Sequence, residues 1–337
     1  MNIEHLYFAA ARIAAANPLL QIGPALAPLA ATRPGDVDLP TPEASARIAA
    51  RMLGFIESDA AVIARAWQAR AQRSGRGALT SGGIEEGADV DPQDLSWPDD
   101  PVDFGIPPWP REDAFAPCPQ DLGLYVVAPD AQWIARLAQW GVPTVQLRYK
   151  PATGTETITR EVQAQVREAV RAVEGTATRL FVNDHWRIAL EEGAYGVHLG
   201  QEDLSTLSGA ELDRIRQARL RLGLSTHGYA EMLRADAVGP SYLAMGAVYP
   251  TTLKAMPTAP QGPHRLAAYV RLMRGRPLVA IGGIDETRLD EAGRSGVGSV
   301  AVVRAVIGAP DPEAAARSLM HRMSAFPLAF NSSSPLF

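Results

Sequence analysis

From Leu122 onward, short apolar runs alternate with amphipathic stretches. The runs at Leu124–Ala128, Thr144–Arg148, Arg179–Val182, Gly196–Leu199, Leu220–Ser225, Tyr242–Ala247, Leu278–Ile281 and Ser299–Val303 predict eight β-strands. Between them, apolar residues recur at helical spacing in Ala131–Trp140, Glu156–Val173, Trp186–Glu192, Leu212–Gln217, His264–Arg274 and Glu286–Ser295. Apolar strands that each lead into a helix predict a parallel sheet covered on both faces. Eight such repeats within residues 121–330 predict an α/β fold, a (β/α)8 TIM barrel. A doubly wound open sheet is the competing arrangement. It would carry a Gly-rich loop after its first strand, where this chain has Ala128-Pro129-Asp130.

The chain before the barrel has a different pattern. Ile3, Leu6, Tyr7, Ala10 and Ile13 predict a helix over residues 2–16, ended by Asn17-Pro18. Thr41-Pro42 reads as an N-cap and first-turn pair for a helix through Ile48 and Met52. A further helical stretch carries Ile63 and Trp67. Residues 1–73 therefore form a mainly helical region of unassigned role. Residues 74–120, rich in Gly, Pro and Asp, read as a linker. Within it Glu85, Glu86, Asp89, Asp91 and Asp94 form an acidic patch whose spacing fits no EF-hand loop, so a solvated segment is expected.

Composition narrows the function classes. A net charge of −5 over 337 residues argues against a nucleic-acid surface, although a few basic residues could still make a phosphate pocket. The single cysteine, Cys118, excludes an internal disulfide framework and fits a reducing compartment. No run is apolar enough to span a bilayer. Glu4 precedes Arg12 and no basic n-region opens the chain, so a signal peptide is not expected and the cytoplasm is the expected location.

The candidate chemistry sits where predicted strands end. Gln146, Arg148 and Lys150 are spaced by two and leave one face of the strand and its extension. Cations aimed into a barrel mouth call for an anion, and Arg with Lys suits a pyrophosphate; a solvated strand end is the plainer alternative. Asp184 and Asp203 follow consecutive strands and can converge on one Mg2+, or each can simply cap a helix. Asn183, His198 and Gln201 beside them can read a heteroaromatic ring, although His198 alone also fits a core position. No zinc spacing is present. Ser225-Thr226-His227 ends the fifth strand, with a hydroxyl for phosphate and an imidazole for a proton. Lys254 follows the sixth, and Gly282-Gly283 lets backbone N–H groups approach an anion after the seventh. Val302-Val303-Arg304 closes the eighth, and loops after strands seven and eight are the usual phosphate site of this fold.

Taken in order, six segments resemble the thiamine-phosphate synthase family: Gln146-Leu147-Arg148-Tyr149-Lys150, Asn183-Asp184, His198-Leu199-Gly200-Gln201-Glu202-Asp203, Ser225-Thr226-His227, Pro250-Thr251-Thr252-Leu253-Lys254 and Ile281-Gly282-Gly283-Ile284. The resemblance covers Gly123–Ile307 and none of the first 120 residues. It implies a Mg2+-dependent transferase that condenses 4-amino-2-methyl-5-pyrimidinylmethyl diphosphate with thiazole phosphate. Gln146, Arg148, Lys150, Asn183, Ser225 and Lys254 would hold the pyrimidine diphosphate, with Arg148, Lys150, Ser225 and Lys254 acting on the leaving group. His198 would lie beside the ring. Asp184 and Asp203 would bind Mg2+. Thr251, Thr252, Gly283, Val303 and Arg304 would hold the thiazole phosphate. The chain departs from the family pattern on that side: Leu253 replaces the second threonine, Arg304 a small residue and Ala247 a proline. The rival readings are a thiazole tautomerase-like isomerase using His227 and a non-catalytic protein that binds a thiamine precursor. The expected partners are small molecules, with no nucleic acid or membrane; homo-oligomerisation stays open.

Overall fold

The computed structural model describes residues 3–75, 92–151, 155–251 and 258–326. Among these residues, eight parallel strands close in sequence order into a barrel. They are β1 (Leu124–Ala128), β2 (Thr144–Leu147), β3 (Arg179–Asn183), β4 (Gly196–Leu199), β5 (Arg221–Thr226), β6 (Tyr242–Met245), β7 (Leu278–Ile281) and β8 (Ser299–Val302). Closure is made by β1 against β8, with Leu124 opposite Val300. The open-sheet alternative is thereby excluded.

The helical extension contributes α1 (Ile3–Ala16), α2 (Pro28–Ala31), α3 (Thr41–Met52), α4 (Glu57–Ser74) and α5 (Pro92–Leu95). Around the barrel run α6 (Ala131–Gln139), α7 (Thr155–Val173), α8 (Trp186–Glu191), α9 (Gln201–Thr206) and α10 (Gly209–Gln217). They continue as α11 (Tyr229–Ala237), α12 (Gly262–Leu272), α13 (Leu289–Gly293), α14 (Arg304–Ile307) and α15 (Pro312–Met323). No described helix is long and apolar enough to cross a membrane.

Alternation along the strands divides the core in two. Leu124, Val126, Val145, Leu180, Val182, Val197, Leu222 and Leu224 point outward under the helices, in the larger cluster. Tyr125, Val127, Phe181, Tyr242, Ala244, Val279 and Ala301 fill the barrel interior. The interior aromatics fit because glycines face them. A Cβ on Gly196 would lie 2.4 Å from the Phe181 ring, and one on Gly223 2.1 Å from the Tyr242 ring. Phe181 and Tyr242 meet edge to face at 5.1 Å between centroids, which closes the barrel floor.

The extension is packed on the barrel flank formed by α11 and α12. Arg265 of α12 is buried and donates to the carbonyls of Leu20 and Leu53, both at 2.8 Å. Its guanidinium lies 3.4 Å over the Phe55 ring centroid. Asp59 of α4 accepts the Ala230 N–H at 2.8 Å, capping the start of α11 from outside the barrel. Trp97 stacks on Phe55 at 5.3 Å and donates its indole N–H to the Tyr229 hydroxyl at 3.0 Å.

Two expectations change here. Pro40 occupies the N-cap position of α3, and Thr41 is its first helical residue. Residues 92–120 are also more than solvated chain. Trp97, Ile106 and Phe115 are buried, and Arg276 of the barrel donates to the Pro107 carbonyl at 2.9 Å. The Gly/Pro/Asp composition hid these spaced apolar anchors. Glu85, Glu86, Asp89 and Asp91 lie outside the described residues, as do Thr252, Leu253 and Lys254.

Candidate functional site

The carboxyl ends of β2 to β5 bring four polar side chains into the barrel interior. Register places Asn183 opposite His198, and His198 opposite Gly223, two residues before Ser225. Gln146 and His198 are buried, at 4% and 6% exposure, so their polar atoms need protein partners. They find them in one continuous chain. Gln146 Nε2 donates to Asn183 Oδ1 at 2.7 Å, and the Tyr125 hydroxyl donates to Gln146 Oε1 at 3.0 Å. The Tyr125 and Tyr242 hydroxyls are 2.9 Å apart. The His198 ring spans from the Tyr242 hydroxyl, 2.7 Å from Nδ1, to Ser225 Oγ, 2.8 Å from Nε2. Gln201 donates to the Ser225 carbonyl at 2.7 Å and fixes the backbone there. His198 is thus a buried, hydrogen-bonded histidine within a polar network that reaches Ser225 at the end of β5.

The two aspartates stand on adjacent loops. Asp184 has φ 63, a left-handed conformation that Asp tolerates better than most side chains. The turn is held by β4, because the Asp184 N–H donates to the His198 carbonyl at 3.0 Å. Asp203 lies in the first turn of α9 and accepts the Gly200 N–H through Oδ2 at 3.0 Å. Asp203 therefore does act as a cap. One oxygen bond leaves most of the carboxylate's acceptor capacity for another group. Asp184 and Asp203 line one cavity of about 590 Å³ that runs outward beneath α8 to α10, with His185, Trp186, Glu191 and Leu207 on its wall. Burial pushes the His185 imidazole below its ordinary value, and nearby Asp203 offsets part of that. Gln201 Oε1 is buried without a hydrogen-bond partner, two residues from Asp203. Two carboxylates on one cavity, with room for further oxygens, are the donor set that suits Mg2+ bound jointly with a phosphate. Among the described residues no cluster of three or more His, Cys, Asp or Glu offers a closed metal site.

The cations lie just beyond β2. Arg148 is half-buried, with its N–H donating to the Ala128 carbonyl at 2.8 Å, and Lys150 is exposed. Among the described residues no acidic side chain forms an ion pair with either. A partly desolvated guanidinium without a carboxylate is a ready anion contact.

On the far side of the mouth, the loops after β6 and β7 are zipped together. Val248 N–H donates to the Ile281 carbonyl at 3.0 Å, and Tyr249 N–H to the Gly282 carbonyl at 2.9 Å. Gly283 has φ 65, and a Cβ there would lie 2.6 Å from the Pro250 carbonyl oxygen. Both conformation and space demand glycine there. Val303 follows β8 as the half-buried N-cap residue of α14, and Arg304 opens that helix, exposed. His227 donates its backbone N–H to Glu231 at 3.0 Å and holds the same carboxylate through Nδ1 at 2.6 Å.

Tyr125 and Tyr242 were not singled out by the motifs, because each sits inside an apolar strand. Strand periodicity carries the signal: Tyr125 and Tyr242 fall on the interior face with Gln146 and His198.

Residues 124–306 match the family described as thiamine monophosphate synthase. A thiamine-phosphate synthase of Neisseria meningitidis serogroup A / serotype 4A is 50% identical over 204 residues, spanning 60% of this chain and 96% of that protein. One from Cronobacter sakazakii is 48% identical over 206 residues, 61% of this chain and 94% of its own length. A thiamine phosphate pyrophosphorylase structure from Pyrococcus furiosus superposes with a TM-score of 0.51 at 29% identity, over 60% of this chain and 96% of that one.

Proposed function

The chain belongs to the thiamine monophosphate synthase family and is a transferase, and we propose that its barrel mouth joins a pyrimidinylmethyl diphosphate to a thiazole phosphate. The thiazole nitrogen forms a bond to the pyrimidine methylene carbon, and the carbon–oxygen bond to diphosphate breaks. The products are thiamine phosphate and diphosphate. One observation carries this reading above the others. Gln146, Arg148 and Lys150, then Asn183 and Asp184, then His198 and Asp203 lie at or just beyond the carboxyl ends of the adjacent strands β2, β3 and β4.

We assign Arg148, Lys150, Lys254 and Ser225 to the leaving diphosphate. Their charges and hydroxyl would meet the negative charge that grows as the bond breaks. Gln146, Asn183 and His198 would orient the pyrimidine, so that its methylene faces the thiazole. Asp184 and Asp203 would hold Mg2+. When bound, the ion would neutralise charge on the diphosphate oxygens. Thr251, Thr252, Gly283, Val303 and Arg304 would hold the acceptor phosphate. There the change to Leu253 removes one hydroxyl, and Arg304 adds a guanidinium. No protein nucleophile is needed, since the pyrimidine amino group can stabilise a cationic methylene. A reducing, cytoplasmic setting fits a chain with one cysteine.

The test is product formation. The full chain with both phosphorylated precursors and Mg2+ should yield thiamine phosphate, and EDTA should stop it. Binding of the diphosphate substrate without product in any metal condition would refute the transferase reading of this mouth.

A further inference from the structure

The chain of five hydrogen bonds from Asn183 to Ser225 has a direction. Tyr125 has one hydroxyl proton, and it goes to Gln146 Oε1. The contact between the tyrosines must then be made by the Tyr242 proton. With that proton spent, Tyr242 can only accept from His198, so the Nδ1 position carries the imidazole proton. In a neutral ring Nε2 is then bare and accepts from the Ser225 hydroxyl. In this arrangement Ser225 has no proton to offer an anion in the mouth.

Only one other arrangement keeps all five bonds with a neutral imidazole and both buried tyrosine protons spent inside the chain, and it reverses every one. Ser225 then accepts from His198 Nε2–H and is free to donate into the mouth. Nδ1 accepts from Tyr242, Tyr242 from Tyr125, and Tyr125 from the Gln146 amide nitrogen. Gln146 Oε1 now faces Asn183, which must present its amide nitrogen and turn its own oxygen away. The two ends of the chain therefore cannot change independently.

We propose that Tyr125 and Tyr242 are positioning residues that couple the two ends of the substrate. An anion that accepts from Ser225 reverses the chain. Reversal turns the Asn183 amide oxygen toward a ring amino group. Diphosphate and an aminopyrimidine thus bind cooperatively with no contact between them. Both tyrosines are suited to this task by burial: at 1% exposure each, neither hydroxyl can exchange its partner for water. This inference rests on the assignment of Ser225 and Asn183 to the substrate.

The experiment uses the full chain with Mg2+ and two probes, inorganic pyrophosphate and 4-amino-5-hydroxymethyl-2-methylpyrimidine. Nitrogen-15 NMR of labelled histidine should show His198 protonated at Nδ1 in the free protein and at Nε2 with pyrophosphate. Each probe should tighten the other by about fivefold or more, within the usual range of coupling between sites. In Tyr242→Phe both probes should still bind, with the coupling lost; a merely structural role would weaken both without removing their coupling. Binding of both probes to the unmodified protein with no coupling and an unchanged tautomer would overturn the relay alone. Binding of neither would overturn the site assignment and the relay with it.

Discussion

The barrel mouth and the flank where the extension docks both gather arginines, carboxylates and buried polar groups, but they use them differently. On the flank the buried cations are answered by the protein itself. Arg265 is matched by the Leu20 and Leu53 carbonyls, and Arg276 by Asp236 and the Pro107 carbonyl. At the mouth, Arg148 and Lys150 have no acidic partner among the described residues, and Asp184 and Asp203 share a cavity. Satisfied charge holds two parts of a chain together. Cations at a strand end without a carboxylate are what an anionic ligand can use. Changes on the flank should therefore cost stability, and changes at the mouth should cost turnover.

The largest separation is expected at the carboxylates. Asp184→Asn keeps a side chain that tolerates the left-handed backbone, and Asp203→Asn keeps an acceptor for the Gly200 N–H. Each should lower metal-dependent turnover by about a hundredfold or more, with an unchanged melting temperature. Retained turnover in either variant would remove that residue from the metal site. Next comes a contrast within the mouth. Lys254→Ala should lose more kcat than Arg304→Ala, which should act mainly on the KM for the thiazole phosphate. Steady-state kinetics giving the reverse order would exchange the two anion assignments.

On the flank, Arg265→Ala should cost about 3 kcal/mol, because two buried carbonyls lose a charged donor and Phe55 loses its cation. Denaturant unfolding measures this, and the folded variant should turn over normally. At any single pH, the smaller effect is a pH dependence at Asp59. Burial pushes its carboxyl from 3.8 up to about 6, with Glu231 adding to the rise. The Ala230 N–H and Arg265 pull the other way. Between about pH 4 and about pH 6 the unfolded chain has released this proton while the folded chain keeps it. Stability from this group is thus full below that window and falls as pH rises through it, by about 3 kcal/mol in all. Asp59→Asn keeps an acceptor for Ala230 and should flatten that slope in unfolding measured across pH. An identical slope in the variant would assign the titration to another group.

The same contrast explains what was legible in the sequence. Barrel strands are short, apolar and local, so β1, β4 and β7 coincide with their predicted runs. The mouth was readable because the polar residues cluster at strand ends. The flank was not. Asp59 and Ala230, or Trp97 and Tyr229, are far apart in the chain, and nothing local marks them as partners. Tyr125 and Tyr242 look like ordinary core residues until closure brings their hydroxyls together. The helix α15 did leave a local sign in Asp311-Pro312, where Asp311 caps through the Ala314 N–H at 3.0 Å.

The most direct test of the account is diphosphate release by the full chain, followed together with thiamine phosphate while Mg2+ is titrated. The account predicts one diphosphate for each thiamine phosphate, with both rising with Mg2+ and both abolished by EDTA. Diphosphate release without the condensed product, or equal release in the absence of Mg2+, would contradict it.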